Sequence, residues 1–123
     1  MTEQELKDRT KMFALRVLNV VNALPDSIAG RAIATQLVRS GSSVAANYRA
    51  ACICRTKAEF IAKLGIVLEE ADESCFWLEF IADAKLLKKH ALSPLLQEGN
   101  ELCAIFTSSI RSARAHPTVK SKI

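Results

Sequence analysis

Apolar residues recur along most of the chain at alternating steps of three and four residues, the spacing that keeps side chains on one face of an α-helix. Four stretches have this pattern, covering about residues 3–24, 27–54, 57–89 and 93–114. Because short connections make consecutive helices antiparallel, the pattern predicts an all-α, antiparallel up-down-up-down four-helix bundle over residues 1–115, followed by a short basic tail at 116–123. The apolar lines are Leu6, Phe13, Val17, Val20 and Leu24; Ile33, Leu37, Val44, Tyr48 and Ala51; Ile61, Leu64, Leu68, Ala71, Cys75, Leu78 and Ala82, widened by Phe60, Val67 and Ile81; and Leu95, Leu102, Phe106, Ile110 and Ala113.

Turn-forming and capping residues mark the boundaries of the first two helices. Pro25 ends the first helix, because the residue before a proline is disfavoured in the helical region. Asp26 or Ser27 then caps the second helix by accepting hydrogen bonds from its free amides. The Gly-Ser-Ser stretch at 41–43 is either a break or the middle of one helix. The apolar steps stay in phase across it, which favours one continuous helix.

Ser93 and Pro94 predict the start of the fourth helix, as a cap followed by proline at the first helical position. The third helix then runs to about Lys89. This interpretation places Lys85, Lys88 and Lys89 in the last turns of the third helix, where cations stabilise the negative end of the helix dipole.

Composition is that of an ordinary soluble domain. The chain has 123 residues, 50% of them hydrophobic and 24% charged, with only four glycines and three prolines. The N-terminus is acidic and has no basic lead or apolar core of a signal peptide, and no apolar run approaches the roughly 18 residues that span a bilayer. We therefore expect a cytoplasmic protein with no membrane contact, whose four cysteines are free thiols.

Residue patterns that specify catalysis or metal binding are missing from the sequence. Di-metal sites in helical bundles use Glu-x-x-His pairs, and neither His90 nor His116 follows a glutamate by three residues. Cys52 and Cys54 form a C-x-C pair without the second pair typical of zinc sites. The sequence predicts no catalytic residue, no metal and no cofactor. Metal or redox use of Cys52 and Cys54 is the alternative to a plain structural role.

The net charge of +4 is distributed unevenly, since the second helical stretch is basic and the third is acidic. On a 3.6-residue helix Arg31 and Arg49 point the same way, whereas Arg39 is displaced by about 80°. The cations therefore either form a scattered, solubilising surface or are gathered onto one face by oligomerisation. The candidate phosphate-binding residues are Arg31, Arg39, Arg49, Arg55, Lys57, Arg111 and Arg114.

Two polar lines also recur at helical intervals, one on the second helix and one on the third. Each line is either ordinary solvated surface or a hydrogen-bonded contact that fixes the register between helices or between subunits. The residues are Gln36, Ser40, Ser43 and Asn47 on the second helix, and Glu59, Lys63, Glu70, Glu73 and Trp77 on the third.

Several of these stretches together resemble a known four-helix-bundle family, the proteins encoded in intervening sequences of bacterial 23S ribosomal RNA genes. The resemblance covers roughly residues 5–115. Departures are Ala50, where many members carry a glutamate, and Ile53-Cys54, in a stretch that is often more basic. The stretches that carry the resemblance are Leu24-Pro25, Gln36 to Ser40, Ser43 to Arg49, Ala58 to Leu64, and Glu69 to Ser74 with Trp77-Leu78.

The resemblance implies a homopentamer, commonly with a central channel. The chain is also similar to the accessory variability determinant of diversity-generating retroelements, a basic pentamer that engages nucleic acid and a reverse transcriptase. Five copies of a +4 chain would concentrate scattered arginines into one positive surface.

Three hypotheses follow from the sequence. The first is an oligomeric module that binds RNA or DNA through the candidate cations. The second is a protein–protein assembly scaffold that binds an unidentified protein and has no nucleic-acid role. The third, a metal-dependent enzyme, has no supporting residue pattern.

Overall fold

The structure is a computed structural model that describes residues 1–116. Each of its four helices packs against two neighbours, so that α1 lies diagonally opposite α3 and α2 opposite α4; among the neighbouring pairs, α1 and α4 approach each other least. Connections of four or five residues make consecutive helices antiparallel. The predicted all-α four-helix bundle is confirmed. The helices are α1 (Glu3–Ala23), α2 (Ile28–Ala51), α3 (Lys57–Asp83) and α4 (Lys89–Ala115).

The core fills the space between the four helices. All predicted apolar positions of α2 and α4 are buried, and the rings of Tyr48 and Phe106 meet at a centroid distance of 5.5 Å. In α3 the buried face is rotated from the predicted line, because this helix also buries Ser74 against α2. Phe60, Val67 and Ile81 are therefore fully buried, whereas Ile61, Leu68 and Ala82 are half-buried.

Capping and close packing explain the first two helices. Thr2 and Glu5 form a reciprocal capping box at the start of α1. Ser27, rather than Asp26, caps α2 by accepting a hydrogen bond from the amide of Gly30. As predicted, α2 continues through 41–43. A Cβ atom at Gly41 would lie 2.9 Å from the methyl groups of Val17, so this glycine lets α1 and α2 approach closely.

The end of α3 differs from the prediction. The amides of Lys85 and Leu86 donate to the carbonyls of Ala82 and Ile81, the hydrogen-bond pattern of a Schellman motif. Lys85 adopts the left-handed conformation that this motif requires, with φ of 59°. The helix therefore ends at Asp83. Lys85 lies in the loop, Lys88 is the N-cap residue of α4 and Lys89 is its first residue, so the prediction that these three lysines lie in the last turns of α3 is wrong.

The predicted start of α4 at Ser93 and Pro94 is wrong. α4 begins at Lys89 and contains Pro94 inside its second turn. An earlier start is favoured because it buries Leu92 in the core. Pro94 removes only one backbone hydrogen bond, near the exposed start of the helix. His116 follows α4, and the rest of the predicted basic tail, 117–123, lies outside the described residues.

None of the four helices, as far as residue 116, is both long enough and apolar enough to cross a lipid bilayer.

Candidate nucleic-acid interface

Five of the seven candidate cations lie at one end of the bundle, which we call the basic end. Helices α2 and α4 end there, and α3 begins there. The side-chain ammonium of Lys57 lies 3.4 Å from the backbone carbonyl oxygen of Arg114 and so joins the start of α3 to the end of α4. Within residues 1–116, no member of this group forms a salt bridge. The basic end consists of Arg49, Arg55, Lys57, Arg111 and Arg114.

A groove between α1 and α2 continues the positive surface from Arg49. Its volume is about 430 Å³, and its floor is made of small side chains, including Ala14, Ala45 and Ala46. Lys7 and Lys11 of α1 line the same groove as Arg49. We call this feature, with its three cations, the basic groove. Three positive charges face one carboxylate there, that of Asp8, which accepts a hydrogen bond from Gln4.

Sequence reasoning missed the basic groove. Lys7 and Lys11 do not share a face with the other cations of α1, so they gave no stripe on a single helix. They join Arg49 only because α1 and α2 pack side by side. The one signal available in the sequence was the run of small residues in α2, which permits a close neighbour but does not identify it.

Arg31 and Arg39 are separated from the basic end by position and by pairing. The guanidinium of Arg31 lies 2.6 Å from the carboxylate of Asp26, at the opposite end of the bundle. Arg39 binds Glu70 at 2.9 Å and also Glu73. These hydrogen bonds raise the pKa of Arg39 and lower the pKa of Glu73. Of the seven candidates, these two are the ones whose side chains form salt bridges with carboxylates in residues 1–116.

The polar line of α2 faces α3. Ser74 donates its hydroxyl hydrogen bond across the buried seam to Ser40, at 2.9 Å. Glu73 lies beside both Arg39 and the indole of Trp77, whose Nε1 donates to the carboxylate at 3.1 Å. Ser74 was not among the predicted residues, although it lies on the buried face of α3 one turn from Ala71. The contacts of Ser40 with Ser74 and of Arg39 with Glu73 lie between helices of the same chain, whereas the contact of Trp77 with Glu73 lies within α3.

The remaining predicted polar residues contribute less to this seam. The side-chain ammonium of Lys63 lies 3.5 Å from the amide oxygen of Asn47, and that amide nitrogen donates to the carbonyl of Ser43. Glu59 accepts a hydrogen bond from the backbone amide of Arg55, near the start of α3. Gln36 is exposed.

Arg9 forms a further charged contact that sequence reasoning did not identify. Its guanidinium binds the carboxylate of Glu98 through two hydrogen bonds of 2.7 Å and reaches Glu101 at 2.8 Å. The hydrogen bonds to Glu98 raise the pKa of Arg9. This cluster spans α1 and α4, the neighbouring helices that approach each other least.

Within residues 1–116, no three His, Cys, Asp or Glu side chains lie close enough together to hold a metal ion. That the protein binds no metal stays a prediction from the sequence. Cys75 and Cys103 contact each other between α3 and α4, and their hydrogen bond raises the pKa of Cys75 and lowers that of Cys103. Burial raises the pKa of Cys52. Cys54 is half-buried near the end of α2.

Known proteins resemble this chain over most of its length. The family model of the 23S rRNA-intervening sequence protein matches residues 2–108, which include α1, α2, α3 and most of α4. The chain belongs to this family. Ala50 and Ile53-Cys54, the positions where the sequence departs from the resemblance, lie at the end of α2 and in the following loop.

A solved structure is also similar to this chain. It is the crystal structure of a protein of unknown function from the S23 ribosomal protein family of Bacteroides thetaiotaomicron VPI-5482. The two chains are 30% identical, and the similarity covers 85% of this chain and 97% of the other, with a TM-score of 0.80. Among curated proteins, no match was found.

Proposed function

We propose that this family member is a non-enzymatic, oligomeric module that binds structured nucleic acid through the basic groove and the basic end. Ribosomal RNA, which the family's name contains, is the nucleic acid that we favour. We propose that the protein acts in the cytoplasm. The assembly that we propose is a homopentamer, because both the family resemblance and the likeness to the accessory variability determinant imply one.

The grouping of unpaired cations supports this proposal most strongly. Lys7 and Lys11 meet Arg49 across the basic groove, and Arg49 is also part of the basic end. A phosphate backbone is bound mainly by such cations, and each neutralised phosphate releases condensed counterions. The small side chains on the groove floor leave room for a sugar-phosphate chain to lie close to α1 and α2.

Arg49 and Arg31 provide a matched pair for testing the proposal. Both lie on the same face of α2, five helical turns apart, but only Arg31 is paired with a carboxylate. Binding of a fluorescently labelled stem-loop of 23S ribosomal RNA is measured by anisotropy at several salt concentrations. We expect Arg49→Gln to weaken binding about five- to ten-fold and to reduce the slope of log K against log salt by about one.

The same measurement defines the contrary outcome. Arg31→Gln should bind as the unchanged protein does. Equal effects of the two substitutions would show that only net charge matters, and binding that does not depend on salt would contradict a phosphate interface. Circular dichroism of both variants controls for folding.

A protein–protein assembly scaffold is the second candidate function, and one specific observation favours it. Phe76 and Phe80 are half-exposed on the outward face of α3, next to Trp77. Exposed aromatic clusters of this kind are typical of protein interfaces. Loss of RNA binding in all conditions, together with a protein partner that stays bound after nuclease treatment, would favour this candidate.

A further inference from the structure

The outward face of α3 is apolar although it points away from the bundle. The ring centroids of Phe76 and Trp77 lie 5.0 Å apart, and that of Phe80 lies 5.9 Å from Phe76. Phe76 is 50% exposed and Phe80 is 44% exposed, and Ile66 continues the face toward the start of the helix. Large apolar side chains that cluster on an exposed surface often mark an interaction site. We call Ile66, Phe76 and Phe80 the α3 outer face.

Carboxylates surround this face and argue against a nucleic-acid partner. Asp72 and Glu79 lie one helical turn on either side of Phe76, and Glu69 lies two turns before it. In the described part of the chain none of the three forms a salt bridge. A phosphate backbone would be repelled here, whereas an apolar surface with cations at its edges would be attracted.

The outward side of α1 has the complementary character. Met12, Leu15 and Leu18 are between 41% and 55% exposed. Lys11 and Arg16 flank them, and neither cation forms a salt bridge with another residue of 1–116. We call Met12, Leu15 and Leu18 the α1 outer face.

These two faces lie at the same height on opposite sides of the bundle. Val17 of α1 packs against Gly41, and the preceding residue of α2, Ser40, contacts Ser74 of α3. Val17 and Ser74 are therefore nearly level. Leu18 follows Val17 by one residue and Phe76 follows Ser74 by two, which is about 3 Å or less along each helix. Because α1 and α3 are diagonal neighbours, the two faces point away from each other.

We infer that the α3 outer face of one copy packs on the α1 outer face of the next copy. The contact is head-to-tail, because each chain offers one face of each kind on opposite sides. Aromatic rings of α3 meet the aliphatic side chains of α1, and the carboxylates around Phe76 meet Arg16. This inference rests on the oligomeric part of the proposed function and names the surfaces that carry it.

Two variants test the contact, and both change only exposed side chains. In one, Phe76 and Phe80 are replaced by glutamate; in the other, Leu15 and Leu18 are. We expect light scattering to give a mass of several chains for the unchanged protein and 13.5 kDa, a single chain, for each variant. Ile28→Glu is the matched control, since Ile28 is 83% exposed and lies outside both faces, and it should assemble normally.

Mixing the two variants distinguishes a head-to-tail contact from a symmetric one. The Phe76/Phe80 variant keeps its α1 outer face, and the Leu15/Leu18 variant keeps its α3 outer face. The mixture should therefore form one intact contact and stop at a pair of chains, twice 13.5 kDa. A symmetric contact between two α3 outer faces would instead leave the Leu15/Leu18 variant assembled by itself.

Other outcomes overturn the inference in distinguishable ways. An unchanged protein that is monomeric removes both the contact and the oligomeric part of the proposed function. An assembled protein whose mass neither variant alters removes only this contact, and RNA binding by the basic groove is then tested separately. Circular dichroism and the midpoint of urea unfolding establish that each variant is folded.

Discussion

Two seams between neighbouring helices are held together by different chemistry. Between α2 and α3 the contact includes a buried pair of hydroxyl groups, Ser40 and Ser74, with the Arg39 ion pairs at its edge. Between α1 and α4 the backbones are farther apart, and the long side chain of Arg9 reaches across to Glu98. Small polar groups thus hold a close seam, and long charged groups hold a wide one.

This difference shows how side-chain size determines the role of polar residues in a bundle. A serine pair permits close approach of two helices and finds its hydrogen-bond partners locally, because each hydroxyl oxygen lies within 3.2 Å of a carbonyl oxygen of its own helix as well as beside the other hydroxyl. An arginine–carboxylate contact tolerates a wider gap, but part of its attraction is lost to solvent screening. The first seam should therefore be sensitive to volume and the second to charge.

Added volume in the close seam should have the largest effect. Ser40→Leu places a larger side chain where the native one is fully buried, and we expect a loss of about 1–3 kcal/mol in the free energy of unfolding. Ser42→Leu, two residues later on the exposed side of α2, should change it by less than about 0.5 kcal/mol. Urea unfolding followed by circular dichroism measures both, and equal effects would contradict the close packing of this seam.

Removal of charge from the wide seam should have an intermediate effect. Arg9→Met leaves the largely buried carboxylate of Glu98 without its partner, and we expect a loss of about 1 kcal/mol. A double-mutant cycle with Glu98→Gln should give a coupling free energy of similar size. Additive effects of the two substitutions would show that the pair contributes nothing to stability.

Protonation of Glu73, at the edge of the contact between α2 and α3, should be detectable in an acid titration. Arg39 lowers the pKa of Glu73, whose carboxylate accepts a hydrogen bond from Trp77, the single tryptophan of the chain. A lowered folded-state pKa means that this contribution to stability is present above the unfolded value of about 4.3 and is lost as the pH falls through the folded value. Trp77 fluorescence should therefore change with a midpoint below the ordinary value of a glutamate side chain.

Two variants sharpen the titration. Glu73→Gln should abolish the change in Trp77 fluorescence, and Arg39→Met should move its midpoint to higher pH. A midpoint that does not respond to Arg39→Met would mean that the guanidinium does not control this carboxylate.

Between α3 and α4, the smallest expected effect is a difference in thiol reactivity between the two cysteines that contact each other there. Cys103 has a lowered pKa and is half-buried, whereas Cys75 has a raised pKa and is buried. Alkylation by iodoacetamide at pH 8, followed by peptide mass spectrometry, should modify Cys103 roughly ten-fold faster than Cys75. Cys75→Ala removes the hydrogen bond and should slow the reaction at Cys103; an unchanged rate would contradict the role of Cys75.

The helices were predictable from the sequence because their signals are local. The apolar periods, Pro25 and the cap at Ser27 all act within one or two turns. The boundary between α3 and α4 was not predicted, since Ser93-Pro94 is also compatible with an interior position. The end of α3 is set by the Schellman turn at Lys85, whose left-handed conformation is rare for lysine and is not indicated by the sequence.

The candidate interface was predictable only in part, because it depends on which helices are neighbours. Arg49 and Arg114 were identified from charge alone, but the carboxylates that engage Arg39 lie more than thirty residues away along the chain. Lys7 and Lys11 became part of the interface only when α1 was placed beside α2. Relations of this kind require the register between helices, which a single-helix pattern does not contain.

The diagonal placement of the helices divides the bundle by orientation. Suppose that contacts through α1 and α3 close into a ring. The line that joins α2 to α4 then points along the radius of the ring, so that one of these two helices lines the central channel and the other lies on the outer surface. The basic groove lies on the α2 side, and Arg111 projects from α4. The direction in which each helix faces in such a ring is thus already set within a single chain. If α2 faces the central channel, a nucleic acid would bind inside the channel; if α2 faces outward, it would bind on the outer surface of the ring.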